Sequence, residues 1–426
     1  MPLTDAIRKF NAQLIQIAPI ITQSCAIIGY AKNSNGEDDV TILAPDSNIE
    51  NNPLVKQPHA YSPFNYYEDS TDYPKDIPKI IGFNQYHDNS NLFLSASPIT
   101  INPDAPKRYL YEMLSTITAL KASRTMHTPK IIVLGTPRSQ GQIPGNLTAY
   151  VSGVDTSDKE GAYITKLKAK PRDENRRMVE YQFKVTHAET ALEAKVFFIN
   201  ADSNQFDLTL TDLEHLHALM DLHKNAAKTG EYYPIVVHCT QGLDRAPTIV
   251  FAMELYRNFD HFIGASLENA AQGIQSAYKT LRASRSPEAL QAVDNFKTAI
   301  HLAFMLKAID LVAKARNELN THCDDYPDGA ARKIILSQCL TNINAANDVT
   351  KQLALINDAL QNYILKIHES FSFIETGSIF GRSPTKSIEL LTALRDSLEA
   401  REAIQTQLNA LIAPSQSRSR NIMDNI

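Results

Sequence analysis

The sequence predicts an α/β or α+β domain followed by an all-helical extension, and three observations carry that reading. Short apolar runs of strand length, such as Lys130-Ile-Ile-Val-Leu and Tyr233-Pro-Ile-Val-Val, alternate with stretches whose apolar residues recur at three-to-four spacing. Strands and helices mixed in that order fit a layered domain of sheet and helix. Beyond about residue 308 the strand signals stop and only the helical period continues.

Taken in order, residues 4–24 predict a helix, with Thr4 placed to cap it and Ile7, Phe10, Leu14, Ile17 and Ile21 along one side. Pro19 is expected to kink it or end it early. From 33 to about 104 the chain is rich in Asn, Asp, Ser, Pro and Tyr, which predicts loops with short strands at 79–83 and 91–96. A helix at 105–123 leads into the buried-strand run from Lys130, ended by Gly135. Residues 136–190 are polar with short alternating stretches at 146–154 and 178–185, the pattern of antiparallel strands. A strand at 194–199, an amphipathic helix at 209–225 and an apolar strand at 233–237 follow, then helices at 246–258, 266–284 and 288–307. The extension carries two apolar stripes, one from Leu336 to Ile367 and one from Ile388 to Leu411, separated by a break at 376–384 that contains Gly, Ser and Pro. Those stripes are either packing faces or a docking surface for a protein partner. The expected organisation is a first domain at 1–308, which includes the helix at 4–24, a helical domain at 309–413 and a flexible tail at 414–426.

Composition narrows the function. The 426 residues carry 42 Lys+Arg against 47 Asp+Glu, a net charge of −5, so the whole molecule lacks the basic footprint of a nucleic-acid binder. A content of 43% hydrophobic and 21% charged residues excludes wholesale disorder. No apolar run approaches the ~18 residues of a membrane span, so no transmembrane segment is expected. The start, MPLTDAIRKFNAQ, lacks the charged-then-apolar pattern of a secretory signal, and a soluble, cytoplasmic protein is expected. Cys25, Cys239, Cys323 and Cys339 are too dispersed for a zinc framework or a disulfide scaffold, which leaves the question of a reactive thiol.

Cys239 is the candidate. It follows an apolar strand and His238, and it precedes Arg245 and a helix that starts near Ala246. The backbone N–H groups of such a loop, together with the helix N-terminus, suit a tetrahedral dianion such as a phosphoryl group. Gly242 supplies the conformational freedom that a tight concave loop needs. Arg245 can fork two donors onto two phosphate oxygens, with a charge that does not titrate away. The same positive surroundings favour the thiolate of Cys239, and a thiolate beneath a bound phosphate is a nucleophile set for in-line attack.

The run from His238 to Arg245 resembles the signature of the cysteine-dependent protein tyrosine phosphatases, His-Cys-x-x-Gly-x-x-Arg. The resemblance covers about residues 50–308 in the family's order. Ser62-Pro-Phe-Asn65 is similar to the end of the family's substrate-recognition loop, with Tyr61 and His59 nearest its phosphotyrosine-stacking Tyr. The stretch from Ser95 through a helix to Lys130-Ile-Ile-Val-Leu resembles its path from a substrate-side strand to a core strand. Ala194-Lys-Val-Phe-Phe-Ile-Asn-Ala-Asp202 resembles the strand entering its general-acid loop, and the stretch from Leu281 to Phe296 resembles its late water-orienting segment. The resemblance implies a tyrosine phosphatase-like domain with a central mixed sheet flanked by helices, acting on a phosphotyrosine-containing protein through a phosphocysteine intermediate. It implies Cys239 as nucleophile, Arg245 as phosphate ligand, and Thr240, Gln241, Gly242, Leu243 and Asp244 as the binding loop. Asp202 corresponds to the acid that protonates the leaving oxygen, and Gln291 to the residue that orients the hydrolytic water. No metal or cofactor is implied, because the loop itself provides the positive charge.

The departures from the family pattern are specific. Asn200-Ala201-Asp202 stands where the family has Trp-Pro-Asp, and Asp207 is an alternative acid. Ala246 replaces the usual Ser or Thr after the Arg, which implies slower breakdown of the intermediate, and Asn295 replaces a second Gln. Leu243-Asp244-Arg245 also resembles the loop of myotubularin- and Sac-type phosphoinositide phosphatases, so a lipid substrate is the alternative within enzymes. Yet the loop has no Lys to meet extra phosphates, and Asp244 either faces the phosphate or turns back to hold backbone N–H groups. A third reading is a degenerate phosphate-binding scaffold whose helical extension carries the function. A phosphatase domain followed by a helical extension also resembles the effector phosphatases that intracellular bacteria inject into host cells.

Overall fold

The computed structural model describes residues 2–28, 80, 82–86, 91–135, 150, 156–169, 179–201, 206, 208–264, 266–285, 289–290, 292–326, 331–346, 348–371 and 384–412. The chain divides into two compact units, one of Met1–Ala18 with Phe304–Leu408 and one of Pro19–Ala303 with Asn409–Ile426.

The larger unit is built on strands at Phe83–Gln85 (β1), Leu92–Ser95 (β2), Lys130–Gly135 (β3), Tyr163–Ala169 (β4), Val179–His187 (β5), Thr190–Asn200 (β6) and Ile235–His238 (β7). They form a seven-stranded mixed sheet in the order β1-β2-β7-β3-β6-β5-β4. The central four, β2, β7, β3 and β6, are mutually parallel, while β1 at one edge and β5 and β4 at the other run antiparallel to their neighbours. Strands β2, β3 and β7 are buried along their whole length, which is why they read as near-continuous apolar runs in the sequence. In β5 the core side is carried by alternate residues, Phe183 and Val185, as befits a strand nearer the edge.

Helices flank the sheet. Pro98–Ile101 (α3) and Pro106–Leu120 (α4) follow β2, and α4 lays Tyr109, Leu110, Met113, Leu114 and Ile117 into a core shared with Ile131, Val133 and Val196. Leu210–Thr229 (α5) starts with a reciprocal capping box between Thr209 and Asp212 and stops at Gly230, left-handed at φ 72°. Arg245–Arg257 (α6), Phe259–Phe262 (α7) and Leu267–Arg285 (α8) come after β7, and Val293–Asp324 (α9) spans the division between the two units.

At the N-terminus two helices, Leu3–Leu14 (α1) and Ile17–Ile28 (α2), replace the single helix expected at 4–24. The break falls at residues 15–16, one turn before Pro19, whose missing N–H cannot bond the carbonyl of Ile15, so the expected kink is found and the chain then continues as a second helix. Pro19 sits in the first turn of α2, where a backbone N–H has no intrahelical acceptor to lose. Strand β4 carries no alternation that separates it from the polar stretch around it, and it was not expected. The expected strand at 146–154 lies outside the described residues except for Tyr150.

The other unit is all-helical. Ala331–Ala345 (α10), Val349–Phe371 (α11) and Pro384–Ile412 (α12) join α1 and the C-terminal part of α9. Its interior holds Leu311, Ala315 and Leu319 of α9, Ile343, Ile356, and Leu391, Leu394, Leu398, Ile404 and Leu408 of α12. Phe10 and Phe304 meet with ring centroids 6.0 Å apart. A buried polar contact joins His322 Nε2 to Ser387 Oγ at 2.9 Å. Among the described residues no single helix is long and apolar enough to cross a membrane; α1 and α2 reach that measure only when counted together as a bent pair.

Candidate active site

Strand β7 ends at His238 in the middle of the sheet, in register with Ser95 of β2 on one side and Val133 of β3 on the other. The loop 239–244 therefore leaves from the carboxyl edge of the parallel strands, the edge at which open α/β sheets hold their ligands. Helix α6 begins at Arg245 and carries the chain away.

The loop is held by its carbonyls. The oxygen of Thr240 accepts from Ser97 N–H at 2.9 Å, and that of Leu243 from Leu290 N–H at 2.7 Å. Between them, Gln241 O accepts from Arg285 Nη2 at 2.9 Å and Gly242 O from Arg285 Nε at 3.1 Å. In a trans peptide the C=O and the following N–H point in opposite directions, and no cis bond occurs among the described residues. Four consecutive amides, from Gln241 to Asp244, are thus turned away from the donors behind the loop. Gly242 N–H shows where such an amide goes: it donates to Cys239 Sγ at 3.2 Å. Cys239 is 3% exposed. Gly242 takes φ +75°, and a Cβ there would lie 2.7 Å from Ser95 O and 2.9 Å from Arg285 Nη2.

Arg245 lies across the loop. Its Nη2 donates to Thr240 Oγ1 at 2.9 Å and its Nη1 to Ala201 O at 2.9 Å. Ala201 is fixed in turn: its N–H donates to Gly135 O at 3.0 Å, and it forms an isolated antiparallel bridge with Phe206. Asp202 is the next residue in the chain. Asp202, Asp207, Gln291 and the segment containing His59, Tyr61 and Ser62 to Asn65 lie outside the described residues. The structure therefore brings together Cys239, Arg245 and the whole loop Thr240 to Asp244. Asp244 begins α6 with its carbonyl taking both Thr248 N–H (2.9 Å) and Thr248 Oγ1 (2.7 Å), while its carboxylate makes no cap bond to the helix.

Beneath Cys239 lies a buried polar layer. His238 is fully buried, with Nε2 2.7 Å from Tyr150 OH and the two rings stacked at 5.7 Å. Burial pushes the His238 pKa down to about 4, with nearby Arg245 adding to the effect against the bond to Cys239 O. Burial also drives the Tyr150 phenol well above its ordinary value. The phenol is therefore the donor to a neutral imidazole, which leaves the ring proton on Nδ1, 3.4 Å from Cys239 O. Ser95 Oγ donates to Ala96 O at 2.8 Å and meets Tyr109 OH at 3.2 Å.

Tyr150 was not recognisable from the sequence as part of the site, and Arg285 and Leu290, though inside the stretch 281–296 that resembles the water-orienting segment, carry no signal of their own. Arg285 sits on α8 and Tyr150 is isolated in a polar stretch, so neither carries a spacing that points to the loop. Leu290 takes the left-handed φ of 56°, unusual for a branched apolar residue, with its carbonyl accepting from Tyr278 OH at 3.2 Å. Among the described residues no group of three or more His, Cys, Asp or Glu side chains gathers to hold a metal ion.

No protein-family model and no curated protein matches the chain. Solved structures to which it is similar include the Trypanosoma brucei protein tyrosine phosphatase TbPTP1, at 14% identity and a TM-score of 0.43 over 69% of this chain and 92% of that one. The Trypanosoma cruzi protein tyrosine phosphatase TcPTP1 matches at 17% identity and 0.38, over 54% and 73%. PTPN18, described for its fingerprint on HER2 tyrosine phosphorylation sites, matches at 11% identity and 0.37, over 50% and 67%.

Proposed function

We propose that this chain is a cysteine-dependent phosphatase that hydrolyses phosphotyrosine in proteins. The observation that supports it most is the polarity of the 239–245 loop, whose carbonyls are engaged from behind while an amide meets the Cys239 sulfur and a guanidinium spans the opening. That is an electrostatic environment for a tetrahedral anion seated over a nucleophile.

In the first step Cys239 Sγ attacks phosphorus, the bond from phosphorus to the tyrosine oxygen breaks, and Asp202 gives its proton to that oxygen. Arg245 and the loop amides take the charge that spreads over the equatorial oxygens. In the second step a water oriented by Gln291 attacks phosphorus, Asp202 takes the water's proton, the S–P bond breaks, and inorganic phosphate leaves with the thiolate restored. Arg245's contact with Ala201 O supports Asp202 as the acid, since it ties the phosphate ligand to the residue before it.

A single phosphate ester is favoured over an inositol polyphosphate, because the loop residues between Cys239 and Arg245 include Asp244 and no Lys. The deciding measurement is turnover of a small aryl phosphate by the full chain, and its loss in Cys239→Ser, followed by a panel of phosphotyrosyl peptides against phosphoinositides. Folded protein without turnover leaves the scaffold reading; preference for the lipids leaves the phosphoinositide one.

A further inference from the structure

We propose that Arg285 is a positioning residue that gives the phosphate loop its polarity, holding the cradle open to an anion before one arrives. The inference rests on the reading of 239–245 as a phosphate loop and adds a role for a residue on a different helix, with no contact to the ligand.

Arg285 is 1% exposed. A buried cation is tolerated only where its N–H groups are taken, and here each arm has an acceptor: Gly242 O for Nε, Gln241 O for Nη2 and Asn84 Oδ1 for Nη1. Two of the three are successive loop carbonyls. The rigid fork can hold both only if both oxygens face α8, and that condition turns the Gly242 and Leu243 amides the other way.

The alternative is specific. A flip of either peptide would aim a carbonyl oxygen at the thiolate and repel the phosphoryl group. Gly242 is where such a flip meets least resistance, because glycine occupies many backbone regions that other residues avoid. The glycine permits the conformation the cradle needs, and Arg285 removes the competing ones. The charge adds a second effect: a hydrogen bond from a cation polarises each peptide and strengthens the N–H on its far side.

The test uses the full chain, with tungstate as a tetrahedral oxyanion probe measured by calorimetry and p-nitrophenyl phosphate as substrate. Arg285→Met is expected to weaken tungstate binding on the order of 10–100-fold and to lower kcat more than it raises KM. Arg285→Lys, which keeps the charge but not the fork, should recover part of the loss. Asn84→Ala, which frees one arm without touching the loop, should give a smaller loss in the same direction. An Arg285→Met protein with unchanged melting curve, wild-type tungstate affinity and wild-type kcat overturns the proposal. If that variant does not fold, wild-type tungstate affinity in both Arg285→Lys and Asn84→Ala overturns it. Wild-type protein that binds tungstate but turns over no ester defeats the phosphatase reading alone, and the tungstate titrations still judge Arg285. Wild-type protein that binds no tungstate defeats both.

Discussion

The amide of Gly242 meets the sulfur of Cys239 at 3.2 Å, and the same glycine stands at φ +75° with the carbonyl of Ser95 behind it. Cys239 and the tightest point of the loop are thus one structural unit. In Gly242→Ala the new Cβ would lie 2.7 Å from Ser95 O, a backbone atom of a buried strand that cannot yield without moving β2. Loss of aryl phosphate turnover is expected, with a stability loss on the order of 1–3 kcal/mol in chemical denaturation. Wild-type activity in this variant would mean that the loop conformation is wrong.

The acid is tested by leaving group and pH together. With Asp202 acting while protonated, kcat/KM is expected to follow a bell, and Asp202→Asn should flatten its basic limb. The cost should reach roughly 10²-fold with a phosphotyrosyl peptide and be much smaller with an aryl phosphate whose oxygen leaves unprotonated. The same signature in Asp207→Asn or Asp244→Asn instead would move the acid there.

Acid should destabilise the larger unit through two buried histidines. His238 and His223 are each held down to about 4 by burial, aided by Arg245 and Arg257 respectively. In the unfolded chain both take a proton near their ordinary 6.5, whereas the folded forms stay neutral until about 4. The unfolded state therefore binds more protons in that window, and stability falls as pH drops from 6.5 toward 4. The loss is on the order of 2–3 kcal/mol per histidine, and His223→Leu should remove part of the slope in urea titrations at stepped pH, the rest staying with His238 and with His301, whose pKa burial also lowers. A flat profile between pH 7 and 4.5 would contradict both assignments.

Tyr150→Phe keeps the stacked ring but removes the donor to His238 Nε2 at a fully buried position. A loss of about 1–3 kcal/mol is expected from the unsatisfied nitrogen, read as a lower denaturation midpoint with unchanged slope. An unchanged midpoint would show that the bond contributes nothing.

The sheet-and-helix order, the helical C-terminal region and the loop around Cys239 were legible because they rest on local signals. Ile235-Val-Val is apolar because it is buried on both faces, and the helix after Arg245 is a longer apolar run because Ala246 to Tyr256 are all buried. Other parts rest on contacts between distant residues. No local pattern tells that Arg285 will take the carbonyls of Gln241 and Gly242, or that Tyr150 will find His238. Both strands of the β5–β6 hairpin were legible, but not the tight turn that joins them: it uses Ala188 and Glu189 at positive φ, where Asn or Gly is the usual marker.

The place of β7 in the sheet also sets the order in which the loop around Cys239 can form. Strands β1 and β2 form one ribbon, and β3, β6, β5 and β4 form another, and all of them precede β7 in the chain. Among the described residues only β7 joins the two ribbons, pairing with Leu92–Ser95 on one side and with Lys130–Val133 on the other. Pairings of such long sequence separation form late, after the local hairpin and helices. A nascent chain, or a fragment ending before residue 235, lacks both the joining strand and the loop that follows it. Ser95 and Val133 come into register only when His238 arrives between them, so completion of the sheet and assembly of the loop around Cys239 are one folding event.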